Sequence, residues 1–481
     1  MIRLKFVRLV NAIIVISFLG LLMVFIQNPY PPVDEHSEAA AAVAAVGSYE
    51  SRGERLLSAN SLPVQCYCCL KAIEESLKES ATFISSPLSI NDVVSSIEFL
   101  NNNYEILNMH RFGPVSEAKF VIVVQVHNRI EYLRYLIESL QKAKYINEVL
   151  SIFSHDYSSP DINELIKQIR FCRVLQIFYP YNIQLFPTVF PGTDPNDCAA
   201  DMTKEKAKQQ RCNNWAHPDK YGHYRVAKLT QIKHHWWWKI NYVFDVVMKR
   251  YNLDKAWVIL LEEDHYVAPD FIHVLQKVID NKKQYCEQCQ VVSLGLYLKQ
   301  YSTYGDNIAS LIVHPWFSSK HNMGMAFDVN TWNLIKNCSK EFCTYDDYNW
   351  DWSLLHISMK CLPKKLRVIA LKAPRVIHVG DCGVHTHRCN VQNAPKKAQE
   401  LFSSVEKRLF PASLRVVENS RRMLKPSKEN GGWGDSRDHQ LCINNSMVNV
   451  QPSLVDSLVV KGDYDSAIFI NLNNSSNIMD L

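Results

Sequence analysis

Three consecutive acids, Glu262, Glu263 and Asp264, stand inside the stretch Trp257–Phe271, WVILLEEDHYVAPDF. They follow directly on Trp257–Leu261, whose apolar, partly branched residues have the length of a fully buried strand. Open α/β sheets bind ligands outside the carboxyl ends of their strands, so this strand delivers carboxylates to a ligand position. Hard oxygen ligands there suit Mg²⁺ or Mn²⁺, cations that share their coordination sphere with substrate phosphates. Capping the helix that Pro269-Asp270 announces is the plainer role, but a cap needs no run of acids fused to a core strand. The chemistry indicated is that of a metal and a phosphate.

A second cluster, Cys343–Trp352 (CTYDDYNWDW), interleaves Asp346, Asp347 and Asp351 with Tyr345, Tyr348, Trp350 and Trp352. Aromatic faces match sugar C–H faces, and carboxylates take hydroxyl protons, so this segment reads as a carbohydrate pocket with a base. The alternative is an aromatic core segment with surface acids. His378, at the end of an apolar run Val368–His378, is placed to complete a metal sphere. The His385-x-His387 pair has no nearby thiols and no HExxH pattern, and reads as loop. Asn430–Asp435 (NGGWGD) lacks the Lys-Ser/Thr of a P-loop and reads as a turn closing the domain near Cys442.

Strands and helices must bring these groups together. Phe120–Val126 (FVIVVQV) predicts a parallel core strand followed by His127-Asn128-Arg129, with a helix over Tyr132–Ala143. A strand over Glu148–Phe153 leads to Ser154-His155-Asp156, and another covers Val174–Phe178. This alternation predicts a Rossmann-like, mostly parallel central sheet flanked by helices. No G-x-G-x-x-G follows the first strand, which disfavours a dinucleotide; a nucleotide at the same edge stays compatible. A long helix, about His223–Arg250, carries an apolar stripe at Leu229, Ile232, Trp236, Ile240, Val243 and Val247. Lys228, Gln231, His234 and His235 fall off that stripe, facing either a ligand or solvent. Cys198 and Cys212 would staple the loop between the third strand and this helix. Cys286-Glu-Gln-Cys289 ends a helix rather than starting one, which fits a structural bridge and not a redox pair.

The N-terminus sets an expected compartment. Arg3, Lys5 and Arg8 precede the apolar run Leu9–Ile26, the pattern of a signal anchor with a cytoplasmic tail. A cleaved signal peptide is the rival, but the run is long for one and no small-x-small site follows. The expected organisation is a tail 1–8, an anchor 9–26, a stem 27–118, a lumenal catalytic domain 119–447 and a polar tail 448–481. Most of the 14 cysteines should then be paired, with Cys66, Cys68 and Cys69 available to cross-link stems. Sequons begin at Asn337, Asn444, Asn473 and Asn474. A net charge of +5 with dispersed Lys and Arg gives no footprint for nucleic acid.

The motifs VQVHNR (Val124–Arg129), Ser154-His-Asp156, GHYR (Gly222–Arg225), QIKHHWWWK (Gln231–Lys239), LEEDHYVAPDF (Leu261–Phe271), HNMG (His321–Gly324), FCTYDDYNWDW (Phe342–Trp352), His378–Gly383 and NGGWGD resemble the N-acetylglucosaminyltransferase II family. The likeness runs in the family's order over roughly residues 119–445. It implies a disulfide-stapled glycosyltransferase-A fold and inverting, Mn²⁺-dependent transfer of GlcNAc from UDP-GlcNAc. The implied acceptor is O2 of the α1,6-arm mannose of N-glycans on glycoproteins, and the implied setting is the Golgi membrane; a homodimer is left open. By the same resemblance, Asp264 and His378 hold Mn²⁺ (or Mg²⁺), and Asp351 is the base. Gln125, Val126, His127, Asn128, Arg129, Asp156, Gln231, Ile232, Lys233, His234, His235 and Glu262 match donor contacts, and Asn322, Tyr348 and Trp350 acceptor contacts. The family's pattern pairs Cys198–Cys212, Cys286–Cys289, Cys338–Cys361, Cys343–Cys442 and Cys382–Cys389, leaving Cys172 and the stem cysteines over. One departure stands out: Tyr301 occupies the place of a family arginine that contacts substrate, with Lys299 as a substitute. Rival readings are a transferase of the same fold with another donor or acceptor, and a carbohydrate-binding protein without turnover. A glycoside hydrolase, which needs two carboxylates flanking the bond, fits less well.

Overall fold

The computed structural model describes residues 90–297, 301–380, 390–425 and 428–447. The expected anchor, the stem cysteines, Lys299, the Cys382–Cys389 pair, the His385-x-His387 pair and the polar tail lie outside the described residues. Among the described residues no helix is long and apolar enough to cross a membrane.

The chain builds β1 (Phe120–Val126), β2 (Val149–His155), β3 (Arg173–Phe178), β4 (Trp257–Glu262), β5 (His265–Val267), β6 (Val291–Ser293), β7 (Ser310–Pro315), β8 (Met325–Phe327), β9 (Arg367–Leu371), β10 (Val376–His378) and β11 (Arg415–Asn419). Nine of them form one sheet in the order β11-β7-β9-β6-β8-β4-β1-β2-β3, while β5 and β10 pair separately. β1, β2, β3 and β4 run parallel, as do β6 with β9 and β7 with β11; β8 is antiparallel to both neighbours, and β7 is antiparallel to β9. The sheet is therefore mixed but mostly parallel. Its central strands are buried on both faces, which is why their sequences are apolar runs, broken in β2 only by the buried Ser151, rather than alternating ones. Register aligns the strand ends: Gln125 of β1 lies opposite both Ser154 of β2 and Glu262 of β4. Polar residues that follow three separate apolar runs thus emerge along one edge.

Three expectations about the elements change. The ordered domain starts before Lys119, because α1 (Ile90–Asn103) lies in the segment expected to be stem. Its buried Val93, Val94 and Ile97 share one helix face and pack with Phe178, Leu185 and Phe186, and Leu107 bridges Val174 on β3. The outer strand is thereby covered, as sheet edges usually are. Next, α2 (Ile130–Gln141) forms as predicted, and the long helix starts at Ala227 rather than about His223: α3 spans Ala227–Tyr242 and runs on through a wider, π-helical Val243–Val247 to Met248–Arg250. α3 is not amphipathic with a polar face outward. Trp236, Trp237 and Trp238 are all buried; Trp236 stacks on Trp350 at 4.4 Å and Trp237 on Phe342 at 4.2 Å. A helix with apolar neighbours on most sides belongs to the interior, so its polar residues must find partners there.

Last, Val368–His378 is not one strand. It breaks at Ala373-Pro374 into β9 and β10, which belong to different sheets. Arg375, fully buried at the break, donates from Nε and Nη2 to both carboxylate oxygens of Asp270 at 2.8 and 3.1 Å and to the carbonyls of Ala373 and Ile308. Asp270 therefore does not cap the helix it precedes, α4 (Phe271–Asp280); it anchors the turn into β10. Disulfides join Cys198–Cys212, Cys286–Cys289, Cys338–Cys361 and Cys343–Cys442, and Cys172 is a buried free thiol.

Candidate active site

The acid cluster sits where β4 ends. Glu263 is buried and accepts from Nε of Arg129 at 2.7 Å and from the His127 N–H at 2.9 Å. Asp264 is buried too, with Oδ2 taking Nη1 of Arg129 at 2.8 Å and lying 3.1 Å from Nε2 of His378. Burial alone would raise the Asp264 carboxyl; the His378 bond and the Arg129 charge outweigh it and hold the group far below its ordinary range. Burial likewise opposes the charge of His378, but Asp264 wins and the imidazole is raised. Glu262 has no such pairing: burial and the neighbouring Asp264 push its carboxyl up.

These residues fit a divalent cation. Ligand atoms of Glu262, Asp264 and His265 lie within 4.8 Å of one another. Oδ1 of Asp264 is buried with no hydrogen-bond partner, an unsatisfied acceptor that a cation would satisfy. His378 reaches the other oxygen of the same carboxylate. His265, absent from the sequence-based ligand set, accepts the Glu262 N–H at Nδ1 and is pulled down to about 4, chiefly by burial, so it is a neutral imidazole at working pH. It owes its place to β5, where His265 lies opposite His378. Gly380 keeps the approach open: a Cβ there would come within 2.1 Å of Asp264 Oδ2.

A polar network adjoins the cluster at the end of β2. Asp156 receives Nδ1 of His127 at 2.6 Å and Nε2 of Gln231 at 3.1 Å, with His235 Nδ1 at 3.4 Å. Burial would raise Asp156, yet its bonds to His127 and His235 keep it strongly ionised, and the Asp156 bond raises His127 in return. Lys239 donates to Oε1 of Gln125; burial lowers it to about 7 despite Glu262 and Asp156 nearby. So Gln125, His127, Arg129, Asp156, Gln231 and His235 converge on one edge with Glu262.

Asp351 opens α5 (Trp350–Lys360). Its carboxyl is pushed up to about 7, first by burial and then, against the Trp352 N–H, by Asp347 and Glu262. The Glu262 influence ties the base candidate electrostatically to the acid cluster. Asn322 donates Nδ2 to Asp351 Oδ2 at 3.3 Å, and its own Oδ1 is buried without a partner.

The profile of N-acetylglucosaminyltransferase II (MGAT2) matches residues 94–442. The chain belongs to that family.

Relatives named alpha-1,6-mannosyl-glycoprotein 2-beta-N-acetylglucosaminyltransferase from Sus scrofa and Homo sapiens are each 46% identical, covering 71% of this chain and 77% of theirs. A relative of the same name from Arabidopsis thaliana is 31% identical, over 71% of this chain and 78% of its own. A solved galactosyltransferase, LgtC in complex with donor and acceptor sugar analogs, overlaps 59% of this chain and 96% of its own at 12% identity and a TM-score of 0.30. Family membership makes the protein a glycosyltransferase of N-glycan synthesis, and its mostly parallel sheet with flanking helices is the expected glycosyltransferase-A architecture.

Within this family member, several residues expected at the substrate serve the scaffold instead. Trp350 is buried, with one ring face stacked flat on Trp236. Lys233 lies over the Trp433 ring at 4.0 Å and donates to the carbonyls of Tyr345 and Asp347. His234 pairs with Asp438 at 2.9 Å, and Asp438 also takes Arg225 at 2.8 Å. Ile232 packs on the core, and the Val126 side chain is buried with its carbonyl taken by the Asp156 N–H. Asn128 is exposed, and Tyr348 is half-buried with Gly432 against its ring. Asp346 and Asp347 are structural: they accept the backbone N–H groups of Trp433 and Asn430 and so hold the glycine-rich turn. Of the three acids in the aromatic segment, Asp351 is left for chemistry.

Proposed function

We propose that this protein transfers GlcNAc from UDP-GlcNAc to O2 of the α1,6-arm mannose of N-glycans, with inversion, using Mn²⁺ or Mg²⁺ at Glu262, Asp264 and His378. The observation that carries this reading is the pairing of a strand-end acid cluster with one carboxyl, Asp351, held near neutrality in its electrostatic reach. The names of the relatives support the acceptor and the sugar. A divalent cation bound there supplies positive charge against which a nucleoside diphosphate leaves.

The chain's own residues do the rest. Asp156, Gln231 and His127 offer a charged and polar cradle for the nucleoside end, and Arg129 fixes the Asp264 carboxylate while presenting a guanidinium to the phosphates. Asp351 takes the proton of the acceptor hydroxyl as that oxygen bonds to the anomeric carbon and UDP departs; one displacement inverts the centre. Asn322 orients Asp351. A Golgi setting with a lumenal catalytic domain belongs to the same proposal, supported by the basic flank and apolar run of residues 3–26 and by the bridged cysteines.

The test offers the full-length protein UDP-GlcNAc, UDP-Gal and UDP-GalNAc with high-mannose, hybrid and GlcNAc-primed acceptors, and reads product linkage by NMR. Transfer of GlcNAc alone, in β-linkage to O2 of the α1,6-arm mannose, is the expected result. Efficient use of UDP-Gal, or an α-linked product, sinks the reading.

A further inference from the structure

An aromatic ring that the sequence did not single out stands at the mouth of this cleft. The chain leaving β6 is stitched to β10: the Leu294 carbonyl accepts the N–H groups of Arg375 and Val376 at 2.7 and 3.1 Å, and Gly295 bridges Val376. There is no slack in the segment, since a Cβ on Gly295 would meet Met323 at 2.5 Å. Tyr297 is thereby fixed beside His378, ring centroids 6.3 Å apart and planes tilted by 51°. It is nevertheless 54% exposed, a large ring left open to the cleft. One side chain thus stands at the His378–Asp264 pair expected to hold the diphosphate and within the electrostatic reach of the expected base, Asp351. The reacting carbon must lie between those two groups. An aromatic face exposed in a carboxylate-lined cleft matches the apolar C–H face of a pyranose whose hydroxyls point to the acids.

We propose that Tyr297 is the platform for the transferred sugar, its ring covering one face of the pyranose between the acid cluster and Asp351. This rests on the transferase reading above. The ring, rather than the hydroxyl, supplies most of the contact, so it bears on the sugar and not on the nucleotide.

The experiment measures binding of UDP-GlcNAc and of UDP by calorimetry with Mn²⁺ present, together with transfer kinetics, for the full-length protein and its Tyr297→Ala, Tyr297→Phe and Tyr297→Trp variants. Tyr297→Ala should weaken UDP-GlcNAc by about tenfold and raise its KM to match, while UDP alone changes by less than about twofold. Phe and Trp should restore most of the sugar-dependent affinity at an unchanged thermal midpoint. Equal losses for UDP and UDP-GlcNAc, or no loss in the alanine variant, overturn the platform. A wild-type protein that binds UDP but gains nothing from the sugar, and transfers none, overturns the transferase reading itself.

Discussion

Nε2 of His378 lies 3.1 Å from Oδ2 of Asp264 because β10 runs antiparallel to β5, with His378 opposite His265 and the Val379 N–H donating to the Asp264 carbonyl at 2.8 Å. Two distant segments thus close on one carboxylate. Asp264→Ala should abolish metal-dependent UDP binding in calorimetry and also lower the thermal midpoint, because Arg129 and His378 lose a buried partner. Gly380→Ala removes no ligand, yet its methyl would collide with Oδ2, so metal affinity should fall about 10- to 100-fold. Unchanged metal binding in Gly380→Ala would refute the placement of the cation at Asp264.

Asp351 predicts the shape of the pH profile. Its carboxyl stays protonated up to about 7, so kcat/KM should climb through neutrality and level off above it. Because the folded value lies above the ordinary one, its stabilising contribution is complete at low pH and disappears as pH rises through about 7. Asn322→Ala removes a donor to the carboxylate and should move the acid limb of the profile upward. Asp351→Asn should retain UDP binding and lose transfer.

The Arg375–Asp270 pair is a stability device beside the site, not a part of it. Arg375→Ala leaves Asp270 charged and buried, and should cost about 3–5 kcal/mol in urea unfolding. The double variant with Asp270→Ala should cost less than the sum of the single ones.

The adjacent histidines of KHHWWWK have different employments. His234→Ala removes the partner of Asp438 and should lower stability by about 1–3 kcal/mol, with UDP affinity intact. Gln231→Ala should weaken UDP, because Nε2 of Gln231 is a partner of Asp156, and should also cost stability by leaving the Ile183 N–H without its acceptor. Denaturation and UDP titration of the two variants check this directly.

Much of the architecture was legible because buried parallel strands leave apolar runs, unbroken in β1 (Phe120–Val124) and β4 and interrupted only by Ser151 in β2 and Gln176 in β3. The polar residues that end these runs were found for the same reason. Solvent exposure on α3 was not legible: an apolar stripe at helical spacing looks alike whether the other face meets water or a second layer of protein. Only the location of Asp438 and Trp433, far along the chain, decides that Lys233 and His234 face inward. Trp350 failed in the same way, since an aromatic for a sugar and an aromatic for the core share one composition. The amphipathic patch Val93–Leu100 is legible as a helix inside a stretch whose Pro, Ala, Ser and Glu give a linker's composition, but the strand edge that α1 covers has no signature in α1 itself. His265 and Tyr297 are placed by pairing with β10, a contact between segments that no local pattern announces.

The contact between α3 and α6 (Ser436–Asn444) also sets a schedule for synthesis. Arg225 and Asp438 are 213 positions apart, and Cys343 waits for Cys442, 99 positions further on. While residues 225–435 emerge from the ribosome, the Arg225 guanidinium has Asp197 at hand but not Asp438, and His234 lacks the one carboxylate it pairs with. The part of the core that joins Arg225, His234 and Cys343 therefore closes only after the ninth strand of the sheet and α6 have been delivered.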